Sequence, residues 1–224
     1  MTEELSAFHA VATRLRDWVR SAYPTGDLPT NWEEGFLGWN DLYKTFTAVM
    51  RNTSREEWDE DTVDLMLFAI GCDNEAEWLA DELAVHPAAM LHLAEQAIDF
   101  PEWEAKWQIT YELSQADVPL EQAESLLQRF ARDEHEYVRR RAMLALAYIH
   151  SPQVEELVGP AWDSGEEYQR IAVLCALDII DSPRLMEYAE RAAADGRESL
   201  AKYAAAIQKD GTLRNFTIQG IPVV

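Results

Sequence analysis

His135-Glu136 is the one place in this chain where an imidazole and a carboxylate follow an apolar helix pattern as neighbours and could begin a metal site. A di-metal centre draws ligands from several helices, and this pair occurs once. The other histidines, His9, His86, His92 and His150, have no ligand spacing; His86 and His92, six apart, fall on different faces of a helix. Cys72 and Cys175 sit in separate apolar runs and are expected as buried free thiols. Asp59-Glu-Asp61 and Asp73-Asn-Glu75-Ala-Glu77 have the acid density of calcium loops but lack the turn glycine and the alternating ligands. They suit helix N-termini, where carboxylates oppose the dipole. With no Gly-rich phosphate loop, nucleophile elbow or Cys-x-x-Cys, no catalytic, metal-binding or cofactor-binding residue is expected. The expected class is a binding protein, not an enzyme.

Charge and aromatics carry the binding signal. From Glu56 to Glu104 there are fifteen Asp or Glu and no Lys or Arg. Glu57, Glu60, Asp61 and Asp64 are spaced to share one helix face, and Asp73, Glu75, Glu77 and Asp81 form a second acidic group. Seven of the eight Trp precede residue 108. Trp39 and Trp107, set among Leu, Phe and Ile, are expected in the core. Trp32, in an irregular loop, and Trp58 and Trp78, among carboxylates, are expected to be partly exposed. Acids supply rate and orientation in binding, and indoles supply residence time. Glu57, Trp58, Glu60, Asp61, Asp64, Asp73, Glu75, Glu77, Trp78 and Asp81 are therefore the candidate partner-binding residues.

The whole chain of 224 residues has a net charge of −22, with 48% of residues apolar. Such a field repels nucleic acid and anionic membranes and attracts a basic protein, in a salt-dependent way. The longest apolar runs fall short of the ~20 residues that span a bilayer. Glu3 and Glu4 stand where a signal peptide would be basic, so the expected location is cytoplasmic.

Elements that position these residues are helical nearly throughout. Ser54-Arg-Glu-Glu57 and Ser164-Gly-Glu-Glu167 have the capping-box pattern. Ser151-Pro152 and Ser182-Pro183 place a hydroxyl and a proline at a helix start. Twelve helices are predicted, at 2–22, 38–52, 56–71, 75–85, 87–98, 102–115, 119–132, 136–149, 153–162, 167–180, 184–194 and 198–209. Pro24 to Gly38 reads as a loop. The tail after Gly211, rich in β-branched residues, is expected to cap the last helices or hang free.

EYVRRRAMLALAYIHSP, Glu136 to Pro152, returns thirty-one residues later as EYQRIAVLCALDIIDSP, Glu167 to Pro183, identical at eight of seventeen positions. A third, weaker copy begins at Glu198. Each copy is apolar around most of its circumference and must be covered on several sides; stacked pairs achieve this where a single pair cannot. Asp133 to Ala142, followed by Ala145-Leu146, resembles a HEAT-like repeat of the phycobilisome-lyase type. The resemblance implies an all-α, right-handed α-solenoid of antiparallel helix pairs, with Asp133 and Arg139 in a hydrogen-bonded ladder between repeats. Arg170 continues the ladder, with Ser164 in place of the Asp; the third copy has Asp195 but Ala201 in place of Arg. The expected organisation is a single domain over 1–224: an N-terminal helix and loop (1–37), acidic Trp-rich pairs (38–118), the clearest repeats (119–209) and a tail (210–224).

The expected function is capture of a basic protein by the acidic N-terminal half. Its sharpest form is an immunity-type inhibitor covering the cleft of a cationic toxin such as a nuclease. The alternatives are a general scaffold or assembly chaperone and, on the resemblance alone, a bilin lyase or another enzyme.

Overall fold

Helix boundaries fall where capping chemistry sets them. The computed structural model describes residues 1–26, 28–214, 216–218 and 221–222, the last two ranges beyond 216 by backbone alone. The helices are α1 (Glu3–Ala22), α2 (Trp39–Asn52), α3 (Glu60–Cys72), α4 (Trp78–Ala84), α5 (Pro87–Ala97), α6 (Trp103–Leu113), α7 (Leu120–Phe130), α8 (Glu136–Tyr148), α9 (Gln153–Asp163), α10 (Glu167–Ile179), α11 (Leu185–Ala193) and α12 (Glu198–Asp210). Thr2 Oγ1 accepts the Leu5 N–H at 3.3 Å, and Asp59 accepts the Thr62 N–H at 2.9 Å. Pro87 opens α5, and Gly211, at φ +75°, closes α12. Short 3₁₀ turns occupy Trp32–Gly35 and Arg55–Glu57.

Two capping boxes were expected, and neither sits on an α-helix. The Ser54–Glu57 box forms, but it closes the 3₁₀ turn, so α3 starts later, at Glu60 under Asp59. The Ser164 hydroxyl accepts the Glu166 N–H at 3.3 Å, and α10 begins without a side-chain cap.

The chain divides into two compact units, Met1–Ala123 and Glu124–Val224. In the first, α1 packs on α2 and α3, and α3 packs on α5 and α6. Helix α3 is covered on nearly every side, which its run Leu65, Met66, Leu67, Ala69, Ile70 requires. Leu65, Met66, Leu67 and Ile70 each contribute about 1.5–3 kcal/mol by burial. Gly71 lets α6 approach: a methyl there would stand 3.2 Å from the Ala105 nitrogen.

In the second unit α8, α10 and α12 lie side by side, with α9 and α11 packed along them. The flanked helix α10 is buried continuously from Ile171 to Asp178. The repeat extends to backbone detail. His150 and Asp181, thirty-one apart, both take φ +52°, and the next residue donates back to the helix at 2.9 Å, Ser151 N–H to Leu146 O and Ser182 N–H to Leu177 O. That is one Schellman closure written twice. The tail docks on the last helices through Leu213, fully buried, and Phe216, whose ring lies 5.0 Å from that of Tyr203. Beyond it Thr217–Ile218 pairs antiparallel with Ile221–Pro222.

Candidate functional site

An acidic groove lies on the first unit, beside α3. Its volume is about 610 Å3. Trp58, Val63 and Leu67, all buried, form the floor, with Phe68 and Phe100 half-buried beside them. The exposed carboxylates Glu60, Asp64, Asp99 and Glu102 stand around it. Two cations line it as well, Arg16 and Arg20 of α1. Burial, then the charges of Glu104 and Asp64, hold the Glu102 carboxyl above the ordinary range, against the pull of Arg20. Burial and the Arg55 charge hold His92 below its usual value, so the imidazole in the groove is neutral near pH 7.

The structure divides the sequence-predicted acids. Glu60 and Asp64, one turn apart, line the groove. Asp61 turns to α1 instead, 3.6 Å from both Arg16 and His9. Glu57 lies on the 3₁₀ turn, where its carboxylate accepts the Ser54 N–H at 2.8 Å; the four acids therefore do not share one helix face. Trp58, expected to be partly exposed, is buried, because its indole N–H reaches Thr53 at 2.9 Å and its ring packs 6.0 Å from His92. Trp107 is in the core, whereas Trp39 is half-buried, its N–H donated to the Glu33 carbonyl at 2.8 Å.

The second acidic group organises the α3–α4 turn. Asp73 is 1% exposed: one oxygen accepts the Tyr43 hydroxyl and the other the Leu79 N–H, each at 2.8 Å. An acid spent on two internal donors is unavailable as a surface contact. The Trp78 ring lies 4.8 Å from that of Tyr43, tilted 33° to it, at the end of a run of rings through Trp39, Phe36 and Trp18 to Trp32. Glu77 takes φ +53° at the start of α4. Asp81 is exposed and hydrogen-bonded to buried Glu112, whose carboxyl is pushed up to about 7 by burial and by Asp81. Glu75 is exposed, and its backbone N–H, with that of Asn74, binds the Glu33 carboxylate at 3.3 and 3.2 Å. Glu33 is itself pushed up to about 7, burial outweighing those two bonds.

Sequence reasoning did not single out Glu33, Glu112, Asp99, Glu102, Arg16 or Arg20. Arg16 and Arg20, four apart on α1, and Asp99 and Glu102, flanking Phe100-Pro101, had spacing that could have marked them. Buried Glu33 and Glu112 left no sequence signal.

In the second unit the polar chemistry joins repeats. Arg139 donates to the Asp133 and Glu134 carbonyls at 2.9 and 2.7 Å and to the Glu166 carboxylate of the next repeat at 2.8 Å. The Asp133 carboxylate accepts the His135 N–H at 2.8 Å. Arg170 donates to the Trp162 carbonyl at 2.9 Å and to Asp195, which Arg197 also clasps at 2.5 and 2.7 Å. These partners hold the Asp195 carboxyl far below the usual range. A parallel ladder uses the Ser-Pro hydroxyls: Ser151 donates to Glu124 and Ser182 to Glu155, in each case across twenty-seven residues. Among the described residues no group of three His, Cys, Asp or Glu is placed to hold a metal ion, and no helix is long and apolar enough to cross a membrane.

Stacked helix pairs joined by such ladders define an α-solenoid of helix pairs. Residues 123–208 match the HEAT-repeat family, so this stretch of the chain is HEAT-like. HEAT repeats are, as a rule, non-enzymatic scaffolds for protein interaction. No curated protein matches the sequence.

Proposed function

We propose that the protein binds a basic protein partner through the acidic groove of its first unit, and does so without catalysis. The observation that carries this reading is the groove itself: exposed Glu60, Asp64, Asp99 and Glu102 above an apolar floor of Trp58, Val63 and Leu67. A desolvated apolar floor inside a charged rim is the arrangement that gives both orientation and slow release. The HEAT repeats of the second unit support a scaffold role. Inhibition of a cationic toxin or nuclease is the sharpest form of the same reading, since a protein that occupies a basic cleft with carboxylates excludes its anionic substrate.

The test is affinity capture from native lysate at low and high salt, followed by titration of the purified pair. A basic partner should bind wild type, release as salt rises, and bind the Glu60→Gln, Asp64→Asn, Asp99→Asn triple variant about tenfold or more weakly, at ~0.5–1 kcal/mol per contact. Loss of the partner's enzymatic activity on binding would establish an inhibitor. A partner indifferent to both salt and the triple variant would remove the groove from the account.

A further inference from the structure

A second cleft of about 570 Å3 adjoins the groove, with Phe68 and Glu102 lining both. Together they form a trench along α3 from Glu60 to Cys72, thirteen helical residues that span about 20 Å. The two halves differ in charge. Arg16 and Arg20 stand in the first half, whereas the second is lined by Glu33, Glu75, Glu102 and Glu104 and by no Lys or Arg. Its walls are apolar and aromatic: Trp32, Trp103, Val19 and Leu28. The Trp32 ring is held by stacking on Trp18, with centroids 5.9 Å apart and 19° between planes. The loop that carries it is pinned by the Glu33 carboxylate, which bridges to the backbone of Asn74 and Glu75. Indole faces beside the exposed carboxylates of Glu75 and Glu102 favour one kind of guest, a cation on an apolar stem.

Resting on the reading of the groove as a site for a basic protein, we infer that the trench takes a single amphipathic basic segment of that partner, anchored by an Arg or Lys side chain at the Trp32–Trp103 end. Arg16 and Arg20 set its direction: cations of the segment are repelled from the α1 side of the first half and concentrated in the second. The apolar face of the segment meets Phe68, which belongs to both halves. About three helical turns of guest match the length of the trench.

The test uses the full chain and a labelled twelve-residue amphipathic Leu/Lys peptide, read by anisotropy and by intrinsic tryptophan emission. Two variants address the anchor: Leu28→Lys, at an exposed loop position, sets a positive charge in the second half, and the Glu75→Gln, Glu104→Gln pair removes charge from it. Each should weaken the peptide about tenfold, and binding should shift tryptophan emission. Loss of binding in Asp64→Asn, Asp99→Asn with no effect of Leu28→Lys would overturn the anchor while leaving the groove reading intact. No binding of the peptide, with the natural partner also indifferent to the groove acids, would sink both. Acetyl-arginine amide binding as tightly as the peptide would make a free organic cation the occupant and overturn the segment. Retention of wild-type affinity in both anchor variants has the same consequence for the anchor.

Discussion

The two units treat charge in opposite ways. In the second, the ladder arginines are spent on an acid or carbonyl of an adjoining repeat: Arg139 on Glu166, Arg170 on Asp195, Arg184 on Glu155 and Arg197 on the Gly165 carbonyl, with Asp195 also held by Arg197 beside it. In the first, buried carboxylates stay close to one another and to backbone N–H groups, and Glu33 and Glu112 are pushed up to about 7. Charge in the second unit builds the stack. Charge in the first unit is left facing the groove, where internal cations are two and acids are several. The contrast teaches that net charge is a poor guide to a binding surface; what matters is which acids already have partners.

Breaking the best-matched charge should produce the largest effect. Asp195→Ala leaves Arg170 and Arg197 without their shared acceptor, and urea denaturation should show a loss of about 2–3 kcal/mol. The exposed Asp99→Asn in the groove should be neutral or slightly stabilising by the same measurement, because it relieves repulsion.

Opposite pH dependences sharpen the comparison further. Glu33 and Glu112 have folded values near 7 against ordinary values of 4.5. Between those limits the folded state holds more protons than the unfolded one, so their contribution to stability is full below pH 4.5 and is lost as pH rises through about 7. Hydrogen exchange of the α3 and α6 amides should report a loss on the order of 2 kcal/mol from pH 5 to pH 8, and Glu33→Gln with Glu112→Gln should flatten it. Asp195 works the other way: its value is depressed, so its stabilisation is present above the ordinary 3.8 and is lost as pH falls below it. Amides of α10 and α12 should therefore weaken on the acid side.

Smaller effects belong to the repeat itself. Ser182→Ala removes the bond to Glu155 and the hydroxyl that accepts the Arg184 N–H, and thermal unfolding should show a cost of about 1 kcal/mol. His150→Gly relieves a left-handed residue at φ +52° and should stabilise by about 0.5 kcal/mol.

Helices were legible in the sequence because their punctuation is local. Pro87, Gly211 and the Ser-Pro steps mark ends by backbone chemistry that no tertiary contact need supply. The thirty-one-residue echo marked α8 and α10, since a repeated apolar surface needs a repeated cover. The acceptor of Arg139 was not legible: Glu166 stands two residues past Ser164, the position matching Asp133 at the thirty-one-residue period, and only packing brings it to the guanidinium at 2.8 Å. The site was half legible. Glu60 and Asp64 reach the groove through helical spacing, but α3 begins after Trp58, so Glu57 left the stripe. Asp73 looked like a surface acid until Tyr43, thirty residues earlier, donated to it. Local spacing cannot reveal such a distant donor.

The most direct test of the central claim sets the groove acids against exposed acids elsewhere in one binding experiment. The partner's dissociation constant is measured for the groove triple variant and for a control triple of exposed acids in the second unit, Glu134→Gln, Glu156→Gln and Glu190→Gln. Both remove the same net charge. The account predicts about a tenfold or greater loss in the first and less than about twofold in the second. Equal losses would mean that the partner senses only the total charge of the molecule, and would contradict a groove-directed site.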